Sequence, residues 1–392
     1  MDWAEDHPIA AADEGAPPGF LSRVSALNFR LCLAAAVFLL AILLPSTSFR
    51  APRHRPITVS GVMKLDPDLS VSTVSSRPRD ASPTGRVLIL PGLAAGAFSF
   101  RDVYRSLASR GLLAVAIDLP GQGLSPKPTA SFFRVLVRLL RTGGDSRAPP
   151  SPYAPAQAAA AVARAVDALG VAPVHLVLHD SALAAGAAFA SANPWAVRSV
   201  TLLDAAATPQ PAFPAAVFGV PVAGRLVLWA PPLFRLLLRL CCVRGTGLSM
   251  AAHEHRALMM WKQTEWVVEA WKAMNRSFEL GEWRRSSEEV RELPMMVLWS
   301  GTWSDWWIKE GHKVAAALPD AKFLYHSGSR WPQVDAAVEI SELITEFVTS
   351  FEEATGDYIQ QPVTSKKHYS QLETNTRSVS INPGEIFYGT LK

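Results

Sequence analysis

Short, continuously apolar runs alternate with longer stretches of helical periodicity through most of the chain. The runs are "RVLILPG" (86–92), "LLAVAIDLPG" (112–121), "VHLVLH" (174–179), "SVTLLD" (199–204), "MMVLWSG" (295–301) and "KFLYHSG" (322–328). Each is stopped by turn residues, and each is apolar at successive positions rather than at every second one, which predicts strands buried on both faces of a sheet. Between them, residues 100–109, 155–169, 181–193, 308–318 and 336–351 carry helical patterns. Strand and helix in alternation predict a mostly parallel α/β sheet with helices on both faces. Ahead of it, alternating segments at 57–65 and 69–75 predict an edge hairpin. From 206 to about 293 the rhythm breaks into helix-like, Pro-interrupted apolar sequence rich in Trp and Leu. An insertion there is expected to cap the carboxyl ends of the strands, where open α/β sheets place their sites.

The amino-terminal region follows a different logic. Residues 1–29 are acidic and bear Pro and Ala, as a flexible arm does. Residues 30–50 enclose the uncharged run "LCLAAAVFLLAILLPSTSF". Acidic residues precede it and no small-x-small cleavage site follows Leu44, so a retained transmembrane signal anchor is expected rather than a cleaved leader. Arg50, Arg53 and Arg55 on its far side favour a cytosolic domain, whereas the sequon at Asn275 is usable only in the lumen, which leaves the orientation open. The main domain is expected over 57–351, and the polar, aperiodic segment 352–392 as a disordered tail.

Composition narrows the partners. The net charge of +4 is spread over many segments, which gives no case for nucleic acid. Two stretches, "SFFRVLVRLLR" (131–141) and "PPLFRLLLRLCC" (231–242), are basic and amphipathic, as membrane-surface helices are, although core-covering helices with arginines snorkelling outward are the simpler reading. The three cysteines, Cys32 and the adjacent Cys241 and Cys242, match neither a disulfide framework nor zinc spacing. Neighbouring cysteines are not expected to bridge each other. No metal and no cofactor is expected.

Chemistry concentrates where "VHLVLHD" runs into "SALAAGAAFASANP" (174–194). Together with "LPGLAAGAFSFRDV" and the Asp-x-Pro-Gly-x-Gly-x-Ser turn in "AIDLPGQGLS", this junction resembles the α/β-hydrolase family over residues 57–351. The resemblance makes the junction a nucleophile elbow, a sharp strand-to-helix turn with Asp180 at its tip, His179 before it and Ser181 one position too late. A carboxylate nucleophile forms an ester that a base-activated water hydrolyses, as in haloalkane dehalogenases and epoxide hydrolases. Ser181 stands where those enzymes carry a halide-binding Trp, which argues against dehalogenation. The oxyanion hole implied is the backbone N–H pair of Leu93 and Ser181. In the base position, before Pro332, stands Arg330, which stays protonated and cannot serve as a base. His326 is the nearest substitute. Asp305 is expected as the acid, or as an ion-pair partner for Arg330. Asp180, Asp305 and His326 are therefore expected as a vestigial catalytic set.

Within that family, "VHLVLHDSAL", "SVTLLD", "ALPDAKF" and "HSGSRWPQ", behind an N-terminal anchor, are most similar to the plant auxin-response-four proteins. These are endoplasmic-reticulum membrane accessory factors for the auxin influx carrier. The resemblance implies a single-pass, catalytically inactive protein that assists carrier export in the auxin response and root gravitropism. Pro91 in place of a His, the loop "RAPPSPYAP" and the short tail depart from that pattern. Two other readings stand beside it: an active hydrolase of hydrophobic esters or epoxides using Asp180, and a lipid or small-molecule binder without turnover.

Overall fold

The computed structural model describes residues 56–66, 69–79, 82–126, 151–208, 210–245, 247–262, 265–274 and 278–355. The expected arm, the expected span at 30–50, the basic stretch at 131–141, the sequon at Asn275 and residues 356–392 lie outside them. Among the described residues no helix is long and apolar enough to cross a membrane, and no group of three or more potential metal ligands occurs.

Among the described residues eight strands form one sheet: β1 (Ile57–Asp66), β2 (Leu69–Arg77), β3 (Gly85–Leu90), β4 (Leu112–Ile117), β5 (Val174–His179), β6 (Val197–Leu203), β7 (Met295–Ser300) and β8 (Lys322–His326). Their order is β1-β2-β4-β3-β5-β6-β7-β8. β1 and β2 pair antiparallel, β2 joins β4 antiparallel, and every pairing from β4 to β8 is parallel. The parallel strands belong together because helical crossovers cover both of their faces, so successive side chains are buried on opposite sides. Leu88, Leu90, Leu176 and Leu178 point into one apolar layer, and Val87, Ile89 and Val177 into the other.

Helices α1 (Arg101–Ser109), α2 (Pro155–Leu169) and α3 (Leu183–Ala192) follow β3, the segment after β4, and β5. α2 and α3 cover the first layer and α1 the second. Between β6 and β7 lie α4 (Pro221–Trp229), α5 (Pro231–Cys241), α6 (Leu248–Lys262) and α7 (Glu265–Ala273), with a separate apolar core around Phe213, Phe234, Leu238 and Trp266. This insertion forms the cap. α8 (Asp305–Ala317) follows β7, and α9 (Ala337–Thr355) closes the domain, packing with α1 on the second layer. Helix thus continues four residues past the expected domain end at 351. One expectation is overturned: Cys241 and Cys242 are joined by a disulfide. The backbone leaves α5 at Cys242, where φ is −137° and ψ −49°, so the two side chains no longer diverge as helical neighbours do.

Candidate active site

The tip of the elbow is Asp180. β5 ends at His179, Asp180 has φ +50°, and one turn of 3₁₀ helix leads into α3. That left-handed conformation reverses the chain sharply, and among non-glycine residues Asp and Asn tolerate it best. The loop after β3 approaches so closely that a Cβ on Gly92 would lie 2.8 Å from the Asp180 Cβ and 2.9 Å from the His179 carbonyl. His179 pins this contact. Its Nδ1 accepts from the Gly92 N–H at 3.2 Å, which leaves Nε2 to donate to the Arg330 carbonyl at 3.3 Å. The ring is fully buried, and burial lowers its pKa to about 4. It ties three loops together as a neutral imidazole.

The turn after β4 braces the same edge. Asp118 accepts from the amides of Ala97 and Leu124. Ser125 Oγ donates to the Asp118 carbonyl at 2.7 Å and accepts from the Ser72 amide at 2.7 Å. These bonds explain why the motif needs Asp at one end and Ser at the other.

The Asp180 carboxylate is closed off. Its side chain is 1% exposed, and the Ala212 amide, from the start of the cap, donates to both oxygens at 2.9 and 3.0 Å. Arg330 Nη2 lies 3.6 Å from Oδ1. Burial pushes the Asp180 pKa up to about 6, against the pull of Arg330 and of the Ala212 and Ser181 amides. Arg330 itself stacks over Trp307 at 3.8 Å and donates to the Gln210 carbonyl at 3.4 Å. Burial draws its pKa down while Asp180 and Asp204 oppose the fall. A guanidinium, which stays protonated, therefore stands over the carboxylate.

The acid partner is not where it was expected. Asp305 is exposed, at the first position of α8, where Ser304 caps the helix. The carboxylate that meets His326 is Asp204, which follows β6 with φ +48°. Its Oδ2 lies 2.8 Å from His326 Nε2, and its Oδ1 accepts from Trp307 Nε1 at 2.8 Å and the Ser300 amide at 3.0 Å. Asp204 thus reaches across the end of β7 to the end of β8. Burial opposes charge on His326, but the Asp204 carboxylate and its hydrogen bond raise the pKa above the ordinary histidine value. His326 Nδ1 is buried and has no hydrogen-bond partner among the described residues. His326 is thus hydrogen-bonded to Asp204, and no hydrogen bond joins it to Asp180.

The expected oxyanion donors are also engaged. The Leu93 N–H donates to Ser181 Oγ at 2.9 Å, and the Ser181 amide serves Asp180. Ser181, not Asp180, lines a neighbouring cavity of about 30 Å³ together with Leu93, Gln122, Tyr153, Ala182 and Met274. That is room for water rather than for a drug-sized ligand. Sequence reasoning missed Asp204, Ala212, Gln210 and Trp307. The end of β6 signals only that Asp204 needs a buried partner, not that the partner is His326 on β8.

An eight-stranded, mostly parallel sheet with this strand order, an elbow after β5 and a cap between β6 and β7 defines an α/β-hydrolase architecture. The family model described as the alpha/beta hydrolase fold matches residues 85–318, and the chain belongs to that family. Solved structures similar to it include the enol-lactonase from Burkholderia xenovorans, with TM-score 0.54 and 15% identity over 73% of this chain and 99% of that one. A haloalkane dehalogenase loop variant from Bradyrhizobium elkanii matches with TM-score 0.53 and 16% identity over 76% and 99%. An epoxide hydrolase from Vigna radiata matches with TM-score 0.50 and 17% identity over 76% and 98%. At these identities the likeness is one of fold.

Proposed function

We propose that this chain is a catalytically silent α/β-hydrolase, anchored in the endoplasmic-reticulum membrane through residues 30–50, that assists export of a polytopic membrane carrier. The resemblance to the auxin-response-four proteins supports the auxin influx carrier as the client. The observation that carries the silent reading is Arg330 at 3.6 Å from Asp180. An ester formed at Asp180 is a dead end without a proton acceptor for the hydrolytic water. Ser181 Oγ on the Leu93 amide supports the same reading, since it occupies a donor that an oxyanion would need.

One observation favours a second reading. Asp204 and His326 form an acid–histidine pair at 2.8 Å, which is what an active hydrolase with Asp180 as nucleophile requires. That reading needs the Arg330 loop and residues 210–212 to swing away from the elbow. The deciding experiment uses the full chain in two assays. A panel of hydrophobic esters and epoxides is offered to wild type and Asp180→Ala, and both are expressed at matched abundance in plant cells lacking the protein. The expected result is no turnover above the variant and normal delivery of the carrier by Asp180→Ala. Turnover that disappears with Asp180, or failed delivery by a folded Asp180→Ala, overturns the proposal.

A further inference from the structure

The cap carries an apolar face that its own core does not use. In α5, Phe234 and Leu238 are fully buried, yet Leu233, Leu236 and Leu240, at i, i+3 and i+7, are 39%, 50% and 69% exposed. In α4, Val222, Leu226 and Trp229, at i, i+4 and i+7, are 79%, 53% and 77% exposed. α5 is therefore apolar nearly all round, a pattern that surface helices facing water do not show. Only arginines interrupt the exposed positions: Arg225, Arg235 and Arg239.

Charge says what this face fits. From residue 205 to 253 there is no Asp and no Glu, while four arginines occur. Arg244 is committed elsewhere, stacked on Trp303 at 3.9 Å and donating to its carbonyl at 2.7 Å. Arg225, Arg235 and Arg239 make no ion pair with a carboxylate of the described residues. A protein partner seated here has to supply carboxylates against Leu and Trp. A bilayer surface supplies both requirements at once, since leucines enter the acyl boundary, arginines reach the phosphates, and Trp settles at headgroup depth.

We infer that α4 and α5 form a membrane-interface surface that lies on anionic lipid headgroups. It is independent of whether Asp180 is silent and of whether residues 30–50 span the bilayer. The face holds the cap in the plane of the membrane, with each arginine contributing on the order of a fivefold gain in surface residence.

The test reads residues 221–241 locally, by amide hydrogen exchange of the full chain in detergent, on phosphatidylcholine vesicles, and on vesicles that also contain phosphatidylserine. The expected result is several-fold slower exchange in 221–241 with phosphatidylserine alone, lost in high salt and in Arg225→Gln/Arg235→Gln/Arg239→Gln. The three positions are exposed, so the variant keeps its fold, and any loss of protection reports the contact itself. Equal protection on both vesicle types overturns anionic recognition. Protection already present in detergent, rising with protein concentration, assigns the face to a second copy and overturns the proposal. No added protection on either vesicle does the same.

Discussion

Adjacent residues at the elbow titrate in opposite senses, and this has a consequence for stability. Burial lowers His179 to about 4 from 6.5. Between those values the unfolded chain binds the extra proton, so the His179 contribution to stability is lost as pH falls through this window. Burial raises Asp180 from 3.8 to about 6. There the folded chain binds the extra proton, so the Asp180 contribution falls as pH rises from about 4 to about 6. Each shift of about two pH units corresponds to about 3 kcal/mol, with opposite sign, and the two nearly cancel in wild type. Asp180→Asn is therefore expected to gain stability steeply from pH 4 to 6.5. His179→Gln, which keeps an acceptor and a donor, is expected to lose stability from pH 4 to 6. Urea midpoints across this range decide it, and variants that run parallel to wild type refute it. His326 adds a contribution, present below the ordinary histidine value and lost above its raised one, which all three proteins share. The elbow aspartate was legible because a positive-φ tip between a buried strand and a small-residue helix is a local pattern. Asp204 was not, because which carboxylate meets His326 depends on a reach across three strands that no local pattern encodes.

Elements were more legible than side-chain partners, since a fully buried strand and an amphipathic helix announce themselves by period. The junction of β5 and α3 shows why its composition is narrow. Leu178, two positions before the elbow tip, is fully buried. The space for it comes from Gly186, where an added Cβ would fall 2.0 Å from Leu178 Cδ2 and 2.6 Å from Cδ1. Both atoms lie between a central strand and a packed helix, so neither yields easily. Gly186→Ala is expected to cost about 1–3 kcal/mol despite its better helix propensity. Adding Leu178→Ala should recover part of the loss, and thermal unfolding of the single and double variants measures it. A loss unchanged by Leu178→Ala refutes this packing account. The disulfide at Cys241–Cys242 was illegible for the opposite reason, because the helical pattern of "LLRLCC" gives no sign that α5 ends between its last two residues.

At the scale of the molecule, cap and sheet close on each other through the loop after β8. The Trp331 amide donates to the Cys242 carbonyl of the cap at 3.0 Å, and its fully buried ring meets His255 at 4.9 Å, Phe213 at 6.4 Å and His179 at 6.5 Å. Further ties run beside it: the Ala212 amide to Asp180, His255 Nε2 at 3.2 Å from the Ala95 carbonyl, and Arg101 to Glu254 at 3.0 Å. With polar and apolar links on several sides of the elbow, the cap is expected to loosen only together with the elbow. Trp331 touches both bodies, whereas Trp266 is buried within the cap core. Each substitution by Ala is expected to cost about 3–5 kcal/mol from the loss of a buried indole. Their patterns should differ. Trp331→Ala is expected to speed hydrogen exchange in α6 and at the elbow together, and Trp266→Ala chiefly in the cap. If Trp331→Ala loosens α6 and leaves 174–183 protected as in wild type, the cap is an independent lid. The elbow then has access to substrate, and the active-hydrolase reading gains the opening that it lacks in the closed molecule.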